Sequence, residues 1–525
     1  MRLLATSAAG SIDPHINYTA QFWQVFAPVY DGLVAFRKTP GPTGTNIVPD
    51  LAEAVPTPEN GPENGPENGV VYRFRLRENL RFSDGTPVLP TDVVASFRRI
   101  YRVGSPTQDT FYGGIVGARA CIATPAQCEL PGVQASGRDI TITLTTPDPE
   151  FLQKLALPHA SILPASAPPR DAGTIPIPGT GPWRIATYDP TEALTLERNP
   201  HFHPWNPEAQ PDAYADFVRY EFGLSGEAQV TAILNAQADW IFDIPPPDRL
   251  PELAAHPALL HLNPADALWF VPLNTRIPPF DDPRARKAFA MAIDRRVTVR
   301  LMGGSGMATP LCQSVPAGMQ GHIPHCPYPY DLKAARRLVA QTGTAGHQIT
   351  LVTDDGALSK ALGTYLIEVL NDLGYRARLQ TLSAAIQFTY IQNTNNRVQA
   401  SLTGWYADYP SAQTILAANF GCAAFRPGSD SSTNIPGFCD PTLDALLATN
   451  TPEAIAAFDH AVTDQAAAIT LFSPRAIDVT APRLQGFVYH DVYRFLLQRA
   501  WLSQKPSPLG RVLGEGPPTS PNPRP

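Results

Sequence analysis

Charge is scarce in this chain. Asp, Glu, Lys and Arg make up 17% of its 525 residues, against about a quarter in an average soluble protein. The 40 Lys+Arg and 47 Asp+Glu are spread along the whole length and leave a net charge of only -7. No basic patch results, so nucleic acid and anionic membrane are poor partners. Long apolar runs are missing too. None reaches the length of a membrane-crossing helix, and the opening Met1-Arg2-Leu3-Leu4-Ala5 is too short for a signal peptide. Either a signal segment has been trimmed from this chain or the protein stays inside the cell. Catalytic signatures are absent in the same way: there is no H-E-x-x-H, G-x-S-x-G, S-x-x-K or Walker A sequence. Hydrolase, penicillin-binding and nucleotide-driven chemistries thus lack their metal, nucleophile or phosphate loop.

Proline, in contrast, is abundant. Its 57 residues are about twice the usual share, which argues for many fixed loops and against a helical bundle. The length exceeds what one core supports and predicts roughly three domains or lobes. The six cysteines fall into three local couples, Cys121 with Cys128, Cys312 with Cys326 and Cys422 with Cys439. An even count without C-x-x-C favours disulfides and an exported protein, with neighbour pairing the economical solution. The competing reading is six unrelated buried thiols in a cytosolic protein.

Punctuation along the chain gives an α/β reading. A short strand at the start is followed by the turn Ser11-Ile12-Asp13-Pro14-His15 and a helix-like stretch to Leu33. The region from Ile47 to Asn68, which contains the tandem ENGPENGPENG, reads as irregular and as a surface loop. Val70 to Leu76 alternates as a strand, Asp84-Gly85 marks a turn, and Thr91 is the expected N-cap of a helix through Arg98. Ile140 to Leu144, two segments after Gly179, and Leu268 to Asn274 read as strands. Asp281-Asp282-Pro283 opens a helix expected to run to Arg296. Amphipathic helices at 332–341 and 358–373 alternate with strands at 348–353 and 375–382. The Pro/Gly-rich tail after Ser503 is expected to be mobile.

The most informative stretch is Ser401 to Ala418. It sets one ionisable side chain, Asp408, among Trp405, Tyr406 and Tyr409, with Pro410 closing the run. A carboxylate there is costly to desolvate unless cations or N–H donors meet it. It therefore either caps the turn before the helix-like SAQTILAAN or waits for a ligand. His322 and His325 beside Cys312 and Cys326 imitate a metal site, but a Pro-rich loop closed by a disulfide is the simpler reading.

Several of these segments carry a resemblance. FRLRENLRFSDGTPVLPTDVVASF, GTGPWRI with LERNPHF, LNTRIPPFDDPRARKAFAMAIDR and GWYADYP, in this order, resemble the family 5 extracellular solute-binding proteins of ABC importers, the peptide and nickel group, over about residues 11 to 500. The resemblance implies an α/β, two-lobed periplasmic-binding-protein fold (type II, cluster C-like) with a hinge and an extra subdomain. By motif order lobe I is 1–45, 175–270 and 481–515, the extra subdomain 46–174, lobe II 271–480 and a mobile tail 516–525. The implied function is non-catalytic capture of an oligopeptide or small cationic amino-acid-like ligand, without a cofactor, for delivery to an ABC transporter permease. The implied protein is a monomer, periplasmic or extracellular and peripheral to the membrane, with a lipid anchor conceivable on the precursor. Asp408 would hold the ligand's amino terminus. Asn17, Tyr18, Thr19 and Ala20 would line the pocket, and main-chain groups of Gly404, Trp405 and Tyr406 would pair with the ligand backbone like an added strand. One departure is that the family often continues with an acidic D-P after the tyrosine, where this chain has Pro410-Ser411-Ala412. The alternatives are a metal or metallophore binder of the nickel type and a peptide-binding accessory of a biosynthetic pathway.

Overall fold

The computed structural model describes residues 1–56, 70–246, 248–429 and 432–503. The ENGPENGPENG repeat and the tail beyond Ser503 lie outside the described residues.

After the strand Arg2–Ala5, the helix Ala20–Phe26 is shorter than its composition suggests. It stops ahead of Pro28, which has no N–H to continue the ladder and restricts the residue before it. The carbonyl of Ala27, just past its end, is met by two side chains: Lys38 Nζ and Gln210 Nε2 each donate to Ala27 O at 2.8 Å. Lys38 is buried with Asp31 and Asp50; burial pulls its pKa down and pushes both carboxyls up. The helix Pro90–Arg102 starts ahead of Thr91, the expected cap. Pro90 is preset for the first helical position, and Leu89 N–H is met by Asp92 Oδ2 at 2.7 Å. The helix expected to run to Arg296 is split in two, Pro283–Ala292 and Arg295–Leu301. Asp282 accepts from Arg284 N–H at 2.8 Å, and Asp294 accepts from Arg296 N–H at 3.0 Å. An Asp in mid-stretch competes for backbone N–H groups, so Asp294 becomes a second N-cap.

The main sheet has ten strands. In spatial order they run Thr403–Tyr406, Ala267–Pro272, Ala468–Thr480, Trp240–Ile241, Arg2–Ala5, Phe217–Phe222, Ala193–Arg198 and Trp183–Asp189; Leu260–Pro264 and Ala308–Pro310 also pair with Ala468–Thr480. That 13-residue strand links two bodies. Ile469 and Leu471 pack with Leu273 and Phe289 in one core, whereas Val479 packs with Leu4 and Ile233 in another. The chain passes the other way between Pro264 and Ala267. In the first body a continuous core runs from Leu3 through Phe22, Trp183 and Tyr220 to Phe495. It takes in the antiparallel sheet of Val71–Arg75, Asp139–Thr143 and Val133–Ser136, so much of the segment 46–174 is packed into the same interior. The second body holds the parallel strands Arg376–Leu382, Gln348–Asp354 and Ala400–Ser401 under the helices Ala357–Asp372, Leu332–Thr342 and Pro283–Ala292. Of these, Ala357–Asp372 is the crossover that the parallel pairing of Gln348–Asp354 with Arg376–Leu382 requires.

Cys121–Cys128, Cys312–Cys326 and Cys422–Cys439 are disulfide-bonded, the neighbour pairing expected. Cys121 lies in the short helix Ala118–Ala123 instead of a loop. Among the described residues no helix is long and apolar enough to cross a membrane.

Candidate ligand-binding cleft

One wall of the cleft is organised by Asp13. Its buried carboxylate receives Arg99 Nη1 at 2.9 Å and Arg99 Nη2 at 2.5 Å, together with the N–H of Ala172 and of His15, each at 3.0 Å. Burial alone would raise the pKa of Asp13, but the Arg99 pair outweighs it and holds the group below its ordinary value. From this anchored turn the chain enters the helix Ala20–Phe26. Asn17 is used internally: its Nδ2 donates to Ala9 O and Ser11 O at 2.7 and 2.6 Å, and its Oδ1 accepts from Thr19 N and Oγ1 at 3.0 and 2.7 Å. Asn17 and Thr19 therefore shape the loop, Ala20 begins the helix, and Tyr18 is the side chain that projects. Its ring meets Trp23, His159 and Phe111 edge-on at 5.7, 5.2 and 6.2 Å.

The opposite wall is the strand Thr403–Tyr406. It is the end strand of the main sheet, paired on one side with Ala267–Pro272. Ala407 N–H donates to Asp266 O at 2.8 Å. Since strand residues alternate the edge to which their N–H and C=O point, Trp405 uses its main chain toward Leu268, and Gly404 and Tyr406 turn theirs to the open edge. The Trp405 ring packs into the second body beside Leu268 and Phe388. Gly404 has a packing reason of its own, because a Cβ there would stand 2.9 Å from Trp269 Cζ3.

Asp408 follows directly and meets Tyr18 across the cleft, the Tyr18 hydroxyl donating to Asp408 Oδ1. Burial pushes the Asp408 pKa up to about 6 against the pull of this hydrogen bond. Asp408 caps no helix: the following helix, Gln413–Phe420, has Ala412 at its N-cap, and Gln413 N–H is met by Ser411 Oγ at 3.1 Å. Tyr18 and Tyr406 keep 42% and 41% of their surfaces open. Desolvation nevertheless raises both phenol pKa values. Both rings thus keep exposed surface while their hydroxyls lie among surrounding protein.

Further along, Arg494 lies over the Tyr406 ring at 5.2 Å and the Tyr489 ring at 5.9 Å, and donates to Tyr489 Oη at 2.5 Å. Burial and the Asp491 charge push Asp266 up to about 6, with Arg494 pulling the other way. Burial likewise raises Asp478 to about 6 while Trp240 Nε1 donates to it at 3.0 Å. Sequence reasoning missed this group. The signal that could have found it is the acid and base set among tyrosines in Tyr489-His490-Asp491-Val492-Tyr493-Arg494. The metal-like histidines are engaged elsewhere: His322 Nδ1 contacts Val315 O at 2.8 Å, His325 Nε2 contacts Asp464 Oδ1 at 2.8 Å, and both nearby cysteines are in a disulfide.

A family sequence model described as "Bacterial extracellular solute-binding proteins, family 5 Middle" matches residues 46–426. The chain belongs to this family. Among curated relatives, this solute-binding protein is 26% identical over 477 residues to "Probable di/tripeptide-binding protein 5" of Pseudomonas aeruginosa, with 84% of each chain covered. Among solved structures it is similar to "Clavulanic acid biosynthesis oligopeptide binding protein 2", with a TM-score of 0.84, 22% identity and coverage of 96% of this chain and 95% of that one. It is also similar to the periplasmic binding protein DppA from Helicobacter pylori in complex with the peptide STSA, with a TM-score of 0.77, 19% identity and coverage of 96% and 98%. These likenesses give the fold, the two-lobed type II architecture. The two bodies are its lobes, and Tyr18 and Asp408 face each other across them.

Proposed function

We propose that this solute-binding protein captures a peptide or peptide-like ligand by its amino end between the two lobes, without catalysis, and delivers it to the permease of an ABC importer. One observation carries the reading. Asp408 is a desolvated carboxylate whose pKa burial raises to about 6, it faces the opposing lobe, and its side-chain hydrogen-bond partner is the neutral Tyr18 hydroxyl. A ligand ammonium would compensate that charge far better than a phenol does. The open edge at Gly404 and Tyr406 would accept an extended ligand backbone whatever its side chains, which suits short peptides of varied sequence. Arg494 with Asp266 and Asp491 supplies groups of both signs for polar parts of the ligand. The names of the curated relative and of the solved structures, all peptide binders, agree with this reading.

The nickel-type alternative gains nothing from the site. Its candidate soft donors are joined in disulfides, and His322 and His325 already contact protein oxygens. The same cleft chemistry would serve uptake and a biosynthetic accessory role alike. Native mass spectrometry of freshly purified protein tests the reading. Adducts with peptide masses that are lost on mild unfolding support it, and an adduct of one metal mass contradicts it.

A further inference from the structure

The loop that carries Asp408 is also held from the other lobe. Tyr409 Oη donates to Glu150 Oε2 at 2.6 Å, and Ser411 Oγ donates to Glu150 Oε1. All three residues are interior, with Glu150, Tyr409 and Ser411 only 5%, 5% and 6% exposed. Glu150 belongs to the first lobe, immediately before the helix Phe151–Leu155, and Asp148 Oδ1 fixes its backbone by accepting Glu150 N–H at 3.0 Å. Tyr409 belongs by sequence to the second lobe, yet its ring is part of the first lobe's core and meets Phe111 edge-on at 6.0 Å. Ser411 leads into the helix Gln413–Phe420, whose Ile415, Leu416 and Phe420 are core residues of the second lobe. A single first-lobe carboxylate therefore grips two hydroxyls that follow directly on the ligand-facing Asp408, with no ligand taking part.

We propose that Glu150 is a positioning residue, a latch that holds the Asp408 loop in place when the lobes are shut and so couples closure to capture of the ligand's amine. The inference rests on the reading that Asp408 meets a ligand ammonium, but it concerns a different contact. Opening the cleft must pull Tyr409 out of the first core and strip both hydroxyl donors from a buried carboxylate, and a buried polar group left without its partner is costly. The latch should therefore act on opening, and hence on ligand release, more than on encounter.

The test uses Glu150→Gln, which keeps shape but offers one acceptor oxygen for two donors, alongside Tyr409→Phe. Dissociation of tri-alanine and of its acetylated form is followed by stopped flow. Glu150→Gln should speed release of both peptides by the same factor, about ten-fold, and leave association within about two-fold. Adding Tyr409→Phe to Glu150→Gln should change little more, since both remove one interaction. An unchanged release rate with only a lowered melting temperature would overturn the latch, and so would a penalty confined to the free-amine peptide. If the wild type binds neither peptide, the reading of Asp408 fails and the latch is decided by small-angle scattering of ligand-free protein. A larger radius of gyration in Glu150→Gln supports it, and identical curves refute it.

Discussion

Asp408 is an acid whose protonation the fold has biased. Burial raises its pKa to about 6, so near pH 6 about half of the ligand-free molecules carry it neutral. A ligand ammonium favours the ionised form and lowers that pKa, so binding must expel the proton. Calorimetry at pH 6 in two buffers of different ionisation enthalpy should find up to about half a proton released per free-amine peptide, and none in Asp408→Asn. Affinity should fall about ten-fold per pH unit below pH 5 and stay level between pH 7 and the amine's own pKa near 8. Proton uptake on binding would contradict the assignment. Asp408 was conspicuous in the sequence because it is a lone carboxylate in an aromatic run. Glu150 was not, because its partners lie 259 and 261 residues away and nothing local distinguishes a Glu after Asp148-Pro149.

At the scale of elements, the cleft depends on buried parts behind its walls. The loop bearing Tyr18 is fixed by the buried Asp13–Arg99 pair, whose side chains are 0% and 5% exposed. Asp13→Ala leaves the guanidinium buried and unpaired and should destabilise the protein by about 3–5 kcal/mol in chemical denaturation. Because the folded-state pKa of Asp13 is depressed, its contribution is complete above the unfolded value near 4 and lost as pH falls through the folded one. A melting curve for Asp13→Ala that matches wild type at pH 7 would refute this role. Elements were well marked where proline, glycine and alternation punctuate them, as at Pro283 and Val71–Arg75. They were misread where one side chain changed the hydrogen-bond pattern, as Asp294 does in opening a second helix. The resemblance offered the main chain of Trp405 to the ligand, but ladder parity gives that residue to Leu268, a distinction that exists only once strands are paired.

The whole molecule is two lobes sharing the strand Ala468–Thr480, and the way they meet brings together residues as distant as Tyr18 and Asp408. The two-lobed fold was legible through the resemblance its motifs carry; the hydrogen bonds across the cleft were not, since they follow from how the lobes meet. Each of the three disulfides closes a short segment within one lobe, so reduction should lower the melting temperature without changing peptide affinity. The central claim is that an amine is captured at Asp408, and the direct test is calorimetric titration of wild type and Asp408→Asn with tri-alanine and acetylated tri-alanine. Losing one partner of a buried charge pair costs about 2–5 kcal/mol. Either change alone should therefore weaken binding roughly thirty-fold to several thousand-fold. The two together should cost little more than either alone, because both remove the same contact. Penalties that simply add, or an Asp408→Asn variant that binds both peptides as wild type does, would contradict the account.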